Sequence, residues 1–197
     1  VGLADDIFHF RPNTKLVVQI GLASALLFFG YRLDWTESLT VSSVLTVLWV
    51  VGITNAFNLL DNMDGLCAGI AIICTGTLLF GLSPIDETST LATTAIVLAS
   101  LLGSVAGFLV YNFHPASIFM GDSGSMFIGF MLSALTLQPG LSETTSGSLL
   151  TIVAAPVLLL LVPIFDTTLV TASRLLSGRS ASVGGRDHSS HRLVAIG

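Results

Sequence analysis

Six long runs almost free of charge, at residues 16–31, 41–57, 66–82, 91–111, 124–138 and 147–165, constrain this chain more than any other feature. Each approaches the roughly 20 residues an α-helix needs to cross hydrocarbon, the shorter ones with help from flanking residues. Main-chain polar groups in lipid must bond within their own segment, so the runs read as helices. With 52% hydrophobic and 10% charged residues over 197 positions, the chain departs from soluble composition in the same direction. Turn-forming clusters separate the runs, at 34–38, at 83–89 around Pro84, and at 139–146. The expected fold is all-α: a polytopic integral membrane helix bundle of about six transmembrane helices, with residues 1–197 as one membrane domain.

Threading the runs back and forth puts Arg11, Lys15, Arg174, Arg179, Arg186 and Arg192 on one side and Arg32 on the other. The basic side is expected to be cytoplasmic. The same side receives Asp5 and Asp6, then Asp61 and Asp64, then Asp122, and finally His188 and His191. The motif loops therefore lie near residues 1–15, 58–66, 112–124 and 171–197, while the opposite face has short loops without site character. Seven basic against twelve acidic residues, a net charge of -5, exclude nucleic acid as a partner. Cys67 and Cys74 lie in one apolar run and read as small buried side chains. The opening VGLADD lacks the basic region and cleavage site of a signal peptide and reads as the end of an apolar helix already under way.

Four stretches carry chemistry. Asp5 and Asp6 are adjacent carboxylates whose repulsion suits a metal or a general base. A prenyl-diphosphate synthase would need a third aspartate where His9 stands. In NAFNLLDNMDGLCAG, starting at Asn55, Asn58 and Asp61 are three apart and project from one face of a helix end, with Asp64 and Gly65 following. Asp64 or Asn62 can cap the next helix, but capping accounts for only one of these polar residues. YNFHPASIFMGDSGSMFIGF, from Tyr111, breaks between two runs and holds Asn112 and Asp122. Its GDSG matches the nucleophile loop of trypsin-like proteases only as a string, since a membrane-helix boundary is the wrong context. Asp122 in a glycine turn suits Mg²⁺, which takes one or two carboxylates and completes its shell with water and phosphate. The tail from Gly178 carries His188, His191 and Arg192, better suited to phosphate or sugar than to Zn²⁺, for which ligands are too few. Carboxylates gathered at one face would repel an anionic substrate unless a divalent cation intervened.

In this order, the Asp5-Asp6 pair, the NxxNxxDxxDG stretch, the NxxPAxxFMGDxGS stretch and the histidine tail closely resemble the polyprenyl-phosphate N-acetylhexosamine-1-phosphate transferases. That family includes undecaprenyl-phosphate GlcNAc-1-phosphate transferases, phospho-MurNAc-pentapeptide transferases and dolichyl-phosphate enzymes. The resemblance implies Mg²⁺-dependent transfer of a sugar-1-phosphate from a UDP-sugar to a polyprenyl phosphate, with release of UMP. Mn²⁺ is the alternative ion. It implies Asp122 as metal ligand, Asp5 as the base that deprotonates the lipid phosphate, and Asp6 as support for the phosphate or metal region. It further implies that Asn58, Asp61 and Asn112 form the nucleotide pocket and that Asp64 is a further site acid. His188 and His191 match the outer members of an HxHH pattern in which Ser190 replaces the inner histidine. The absence of three consecutive histidines favours a GlcNAc-type donor over the pentapeptide branch. The family has about ten spans or more, which implies that this chain is an internal piece of such an enzyme, in the bacterial cytoplasmic membrane; a homodimer is one assembly open to it, and the sequence does not fix the oligomeric state. A transporter built from the same spans would carry ionisable groups at mid-membrane, where these runs have almost none.

Overall fold

The structure, a computed structural model, describes residues 2–8, 10–33, 36–82, 90–137 and 161–178. Among the described residues there are seven helices and no strand: α1 (Gly2–Phe8), α2 (Pro12–Phe28), α3 (Leu39–Leu60), α4 (Leu66–Gly81), α5 (Thr90–Asn112), α6 (Gly121–Thr136) and α7 (Leu161–Leu176). The all-helical expectation is met. Leu39–Leu60 and Leu91–Asn112, 22 residues each, are long and apolar enough to cross a membrane. The 16 or 17 residues of α2, α4 and α6 rise about 25 Å and need their flanks to finish a crossing.

Burial identifies the solvent for which this bundle is built. Val44 and Leu48 on α3, Ile73 on α4, Ile96 on α5 and Phe127 on α6 are exposed, whereas Thr46, Thr75, Ser125 and Ser133 are fully buried. Water would penalise that arrangement; lipid favours it, because apolar side chains outside cost nothing and small side chains inside let helices approach. The buried hydroxyls are satisfied locally: Thr46 donates to the Ser42 carbonyl at 2.7 Å and Thr75 to that of Ala71 at 2.6 Å.

Helix α3 is the hub, packing against α2, α4, α6 and α7, while α4 lies along α5 and α1 caps the start of α6. Antiparallel α3 and α6 meet along Ser125, Gly129 and Ser133, a stripe repeating every four residues that is wholly buried. A methyl group on Gly129 would stand 2.8 Å from Thr54 Cα and 3.0 Å from the Ile53 carbonyl, so only glycine permits this approach. At one end of the contact the Trp49 indole donates to Thr136 Oγ1 at 3.0 Å. At the other, Asn58 meets Ser125.

Several helix boundaries differ from the sequence expectation: α3 runs on to Leu60 and α6 starts at Gly121, and the larger differences are at α2 and α7. The first run was expected at 16–31, but α2 begins at Pro12, whose fixed φ suits a first helical position, and ends at Phe28 because Gly30 turns left-handed at φ +87°. The sixth run was expected to end at Phe165, with only residues 161–165 of it described. Instead α7 continues through Asp166 to Leu176, since no breaker occurs before Gly178 at φ +68°.

Candidate active site

Asp122 sits at the second position of α6, immediately after Gly121, whose φ of +63° turns the chain into the helix. The first turn of a helix leaves main-chain N–H groups without partners. Asp6 supplies them: its Oδ1 accepts from Asp122 N–H at 3.0 Å and its Oδ2 from Ser123 N–H at 2.9 Å. Asp5, about 100° further round α1, turns inward instead. It is 7% exposed, accepts the Phe10 N–H at 2.8 Å and pairs with Lys15. Two adjacent carboxylates thus have separate tasks.

Lys15 lies in the first turn of α2 and joins the two halves of the site. Its ammonium is 2.5 Å from Asp5 Oδ2 and 2.5 Å from Asp122 Oδ2. The second oxygen of Asp122 accepts from Asn58 Nδ2 at 2.9 Å, and the same amide reaches Ser125 Oγ at 3.1 Å. Ser125 in turn donates to the Gly121 carbonyl at 2.8 Å. Asp61, one turn beyond Asn58 at the end of α3, is pushed up to about 6 by burial; the hydrogen bond from the Gly121 main chain opposes the rise, and the charges of Asp122 and Asp6 add to it.

Asp64 and Asn112 brace the surrounding loops. Asp64 Oδ2 accepts from Ala116 N–H at 3.1 Å and meets His114 Nδ1 at 3.0 Å, and these two contacts hold its carboxyl below the usual range. Asn112, 3% exposed, accepts from Gly65 N–H at 3.0 Å and donates to the Ile118 carbonyl at 3.0 Å. That fastens the start of α4 to the end of α5. Both polar ends of Asn112 are therefore engaged by main chain. His188, His191 and Arg192 lie outside the described residues.

Sequence reasoning placed Asp5, Asp6, Asn58, Asp61 and Asp122 on one face, and the structure brings them together. It did not single out Lys15, read only as a basic flank, or Ser125. A signal was available for Lys15, the one lysine in the chain, nine residues after Asp6 and just ahead of an uncharged run.

Among the described residues no group of three or more His, Cys, Asp or Glu side chains forms a metal cage. Mg²⁺ needs only one or two carboxylates, however, and Asp5 Oδ2 and Asp122 Oδ2 converge on a single cation position, taken here by the Lys15 ammonium. Hard oxygens around one cation position fit Mg²⁺ or Mn²⁺ and do not fit a thiophilic ion. Beside this cluster a cavity of about 260 Å³ is bounded by Leu3, Gln19, Thr54, Ser123 and Phe127, among others.

The family model described as glycosyl transferase family 4 matches residues 1–140. A probable undecaprenyl-phosphate N-acetylglucosaminyl 1-phosphate transferase of Bacillus subtilis is 39% identical, over 100% of this chain and 55% of its own length. A decaprenyl-phosphate N-acetylglucosaminephosphotransferase of Mycobacterium leprae is 34% identical, over 100% of this chain and 55% of its own. A phospho-N-acetylmuramoyl-pentapeptide-transferase of Sulfurimonas denitrificans is 33% identical over 70% of this chain and 48% of its own. The chain spans about half the length of the curated relatives it matches.

Proposed function

The chain belongs to glycosyl transferase family 4, and from that premise we propose that it carries the reacting end of a membrane enzyme that transfers N-acetylglucosamine 1-phosphate from a UDP-sugar to a polyprenyl phosphate, releasing UMP. One observation carries the reading: side chains from four helices, Asp5, Lys15, Asn58 and Asp122, meet within hydrogen-bond distance of one another at one end of an apolar bundle. A GlcNAc donor is favoured over the muramoyl-pentapeptide because relatives named for GlcNAc transfer match the whole chain, while the pentapeptide relative matches 70% of it.

In the proposed reaction an oxygen of the lipid phosphate attacks the sugar-linked phosphorus of the donor. A phosphorus–oxygen bond forms there as the bond to the bridging oxygen breaks, and UMP leaves with that oxygen. Asp5 takes the proton of the lipid phosphate. Asp122 would hold Mg²⁺ or Mn²⁺, whose charge would offset that of the donor's pyrophosphate, as phosphoryl transfer requires. Asn58 and Lys15 orient Asp122, Asp6 fixes the start of α6, and Asp61 faces the nucleotide. The acceptor enters from the bilayer, and the basic residues Arg11 and Lys15 beside the motifs support a site on the cytoplasmic face of a bacterial inner membrane.

The test uses the full-length protein in detergent or vesicles, with undecaprenyl phosphate and either UDP-GlcNAc or UDP-MurNAc-pentapeptide. UMP release with the first donor, lost on chelation and restored by Mg²⁺, is expected. Turnover that survives chelation, or that is unchanged by Asp122→Asn, would refute the metal assignment, and turnover with only the second donor would move the enzyme to the pentapeptide branch.

A further inference from the structure

Asn55 opens the NxxNxxDxxDG stretch, yet it does not touch the Asp122 cluster. Its side chain is engaged one turn further into the bundle. Nδ2 donates to Gln19 Oε1 at 2.7 Å and to the Val51 carbonyl at 2.8 Å, while Oδ1 accepts from Gln19 Nε2 at 3.3 Å. Two primary amides, one on α2 and one on α3, thus hold each other in a reciprocal pair. Gln19 is 4% exposed and borders the cavity among Leu22, Val50 and Phe127. An amide buried in such surroundings without a partner is costly, so each side chain constrains the other.

The pair's position in sequence gives it a consequence beyond adhesion. Gln19 lies four residues, one turn, after Lys15 on the same face of α2. Asn55 lies three residues, again one turn, before Asn58 on α3. The two residues that grip the two oxygens of Asp122 therefore extend from the same two helix faces that the amides lock together. Sliding α2 by one residue along α3 would move Lys15 by about 1.5 Å and rotate it by about 100°, taking its ammonium away from Asp5 and Asp122. Apolar packing tolerates small shifts between neighbouring helices, whereas a reciprocal amide pair admits one alignment by its geometry.

The geometry points to Gln19 and Asn55 as positioning residues: a membrane-embedded amide clasp that fixes the register of α2 on α3, so that Lys15 and Asn58 close on Asp122 from opposite sides. Its kinetic arm rests on the transferase reading above; its structural arm does not.

Both arms use the full-length protein with Gln19→Leu, Asn55→Leu, the double apolar variant, and the exchange Gln19→Asn with Asn55→Gln. The first readout is zero-length carbodiimide crosslinking of the Lys15 amine to a carboxylate of Asp5 or Asp122, quantified by mass spectrometry, which needs no activity. The second is kcat per folded enzyme, alongside the donor KM and the melting temperature. The double apolar variant removes both polar groups together, so it melts near the wild type; its crosslink yield and kcat are nevertheless expected to fall by about tenfold or more, since misplacement of about 1 Å in a reacting group costs up to about a hundredfold. The donor KM is expected to move much less, and the exchange variant to recover most of both readouts. A double apolar variant with wild-type crosslinking and kcat would reduce the pair to helix adhesion and overturn the inference. If the wild type transfers no sugar phosphate but the crosslink still depends on the pair, the proposed function falls and the clasp stands.

Discussion

Gly129→Ala tests the arrangement most directly, because a single methyl group sets the distance between the two helices that carry Asn58 and Asp122. The added carbon would lie 2.8 Å from Thr54 Cα, 3.0 Å from the Ile53 carbonyl oxygen and 3.1 Å from Phe57 Cβ, where ordinary contact begins at 3.4 Å. Two of those atoms are main chain of α3 and cannot rotate aside. The helices must therefore part by about 0.6 Å, and overpacking of that kind costs about 3 kcal/mol at the upper end of its range. Replacing glycine inside a helix returns about 1 kcal/mol. The net loss of about 2 kcal/mol corresponds to a melting temperature lower by roughly 4–8 °C for about 200 cooperatively unfolding residues, and by proportionately less for a longer protein. The same separation would stretch the 2.9 Å bond between Asn58 and Asp122 toward the 3.5 Å limit of hydrogen bonding, so kcat falls with stability. Gly103→Ala on α5 is the matched control, since nothing lies within 4 Å of its added methyl and helix propensity alone should leave it unchanged or slightly more stable. Thermal unfolding of the purified full-length protein in detergent measures both variants. A Gly129→Ala protein that melts at or above the wild type, or a Gly103→Ala protein that falls as far, would refute the reasoning.

Three further outcomes are expected. Asp6→Ala removes both acceptors from the start of α6 and should lower stability by about 1–2 kcal/mol, read from denaturant midpoints, with Asp6→Asn losing less because one oxygen remains. Asp61 ionises near 3.8 when unfolded and is pushed up to about 6 when folded. The stability of its protonated form is thus fully present below about 4 and lost as pH rises through 6. Asp61→Asn, which cannot ionise, should gain on the wild type in melting temperature between those pH values in metal-free protein and hold a constant margin above them; a constant margin throughout would contradict this. Trp49→Phe deletes the indole donor to Thr136 and should cost about 1 kcal/mol at the far end of the α3 and α6 contact, without changing the metal dependence of turnover.

The helical, membrane-adapted class was legible from hydropathy alone, because a bilayer imposes length and composition on each span separately. The clustering of Asp5, Asp6, Asn58, Asp61 and Asp122 at one face followed from threading the runs in order. Where α2 and α7 end was less legible, since Gly30 and Gly178 decide it through backbone angles that hydropathy does not contain. The hydrogen-bond partners of Asn112 and Asp64 were also beyond reach. Each is a polar residue in a functional-looking motif, and only the folded loops show their hydrogen bonds directed at Gly65, Ile118, His114 and Ala116.

The sequence by itself determined that the chain is helical and apolar enough for a membrane, the order of its charged motifs, and which family those motifs resemble. These are properties of single segments or of their order along the chain. The tertiary structure decided which partners the motif residues choose: that Asp5 and Asp122 share the Lys15 ammonium, that Asp6 instead caps α6, and that Asn55 pairs with Gln19. Those choices depend on the rotation of each helix about its axis and on how closely helices approach, and both are set by side chains such as Gly129 that lie far along the chain from the groups they bring together.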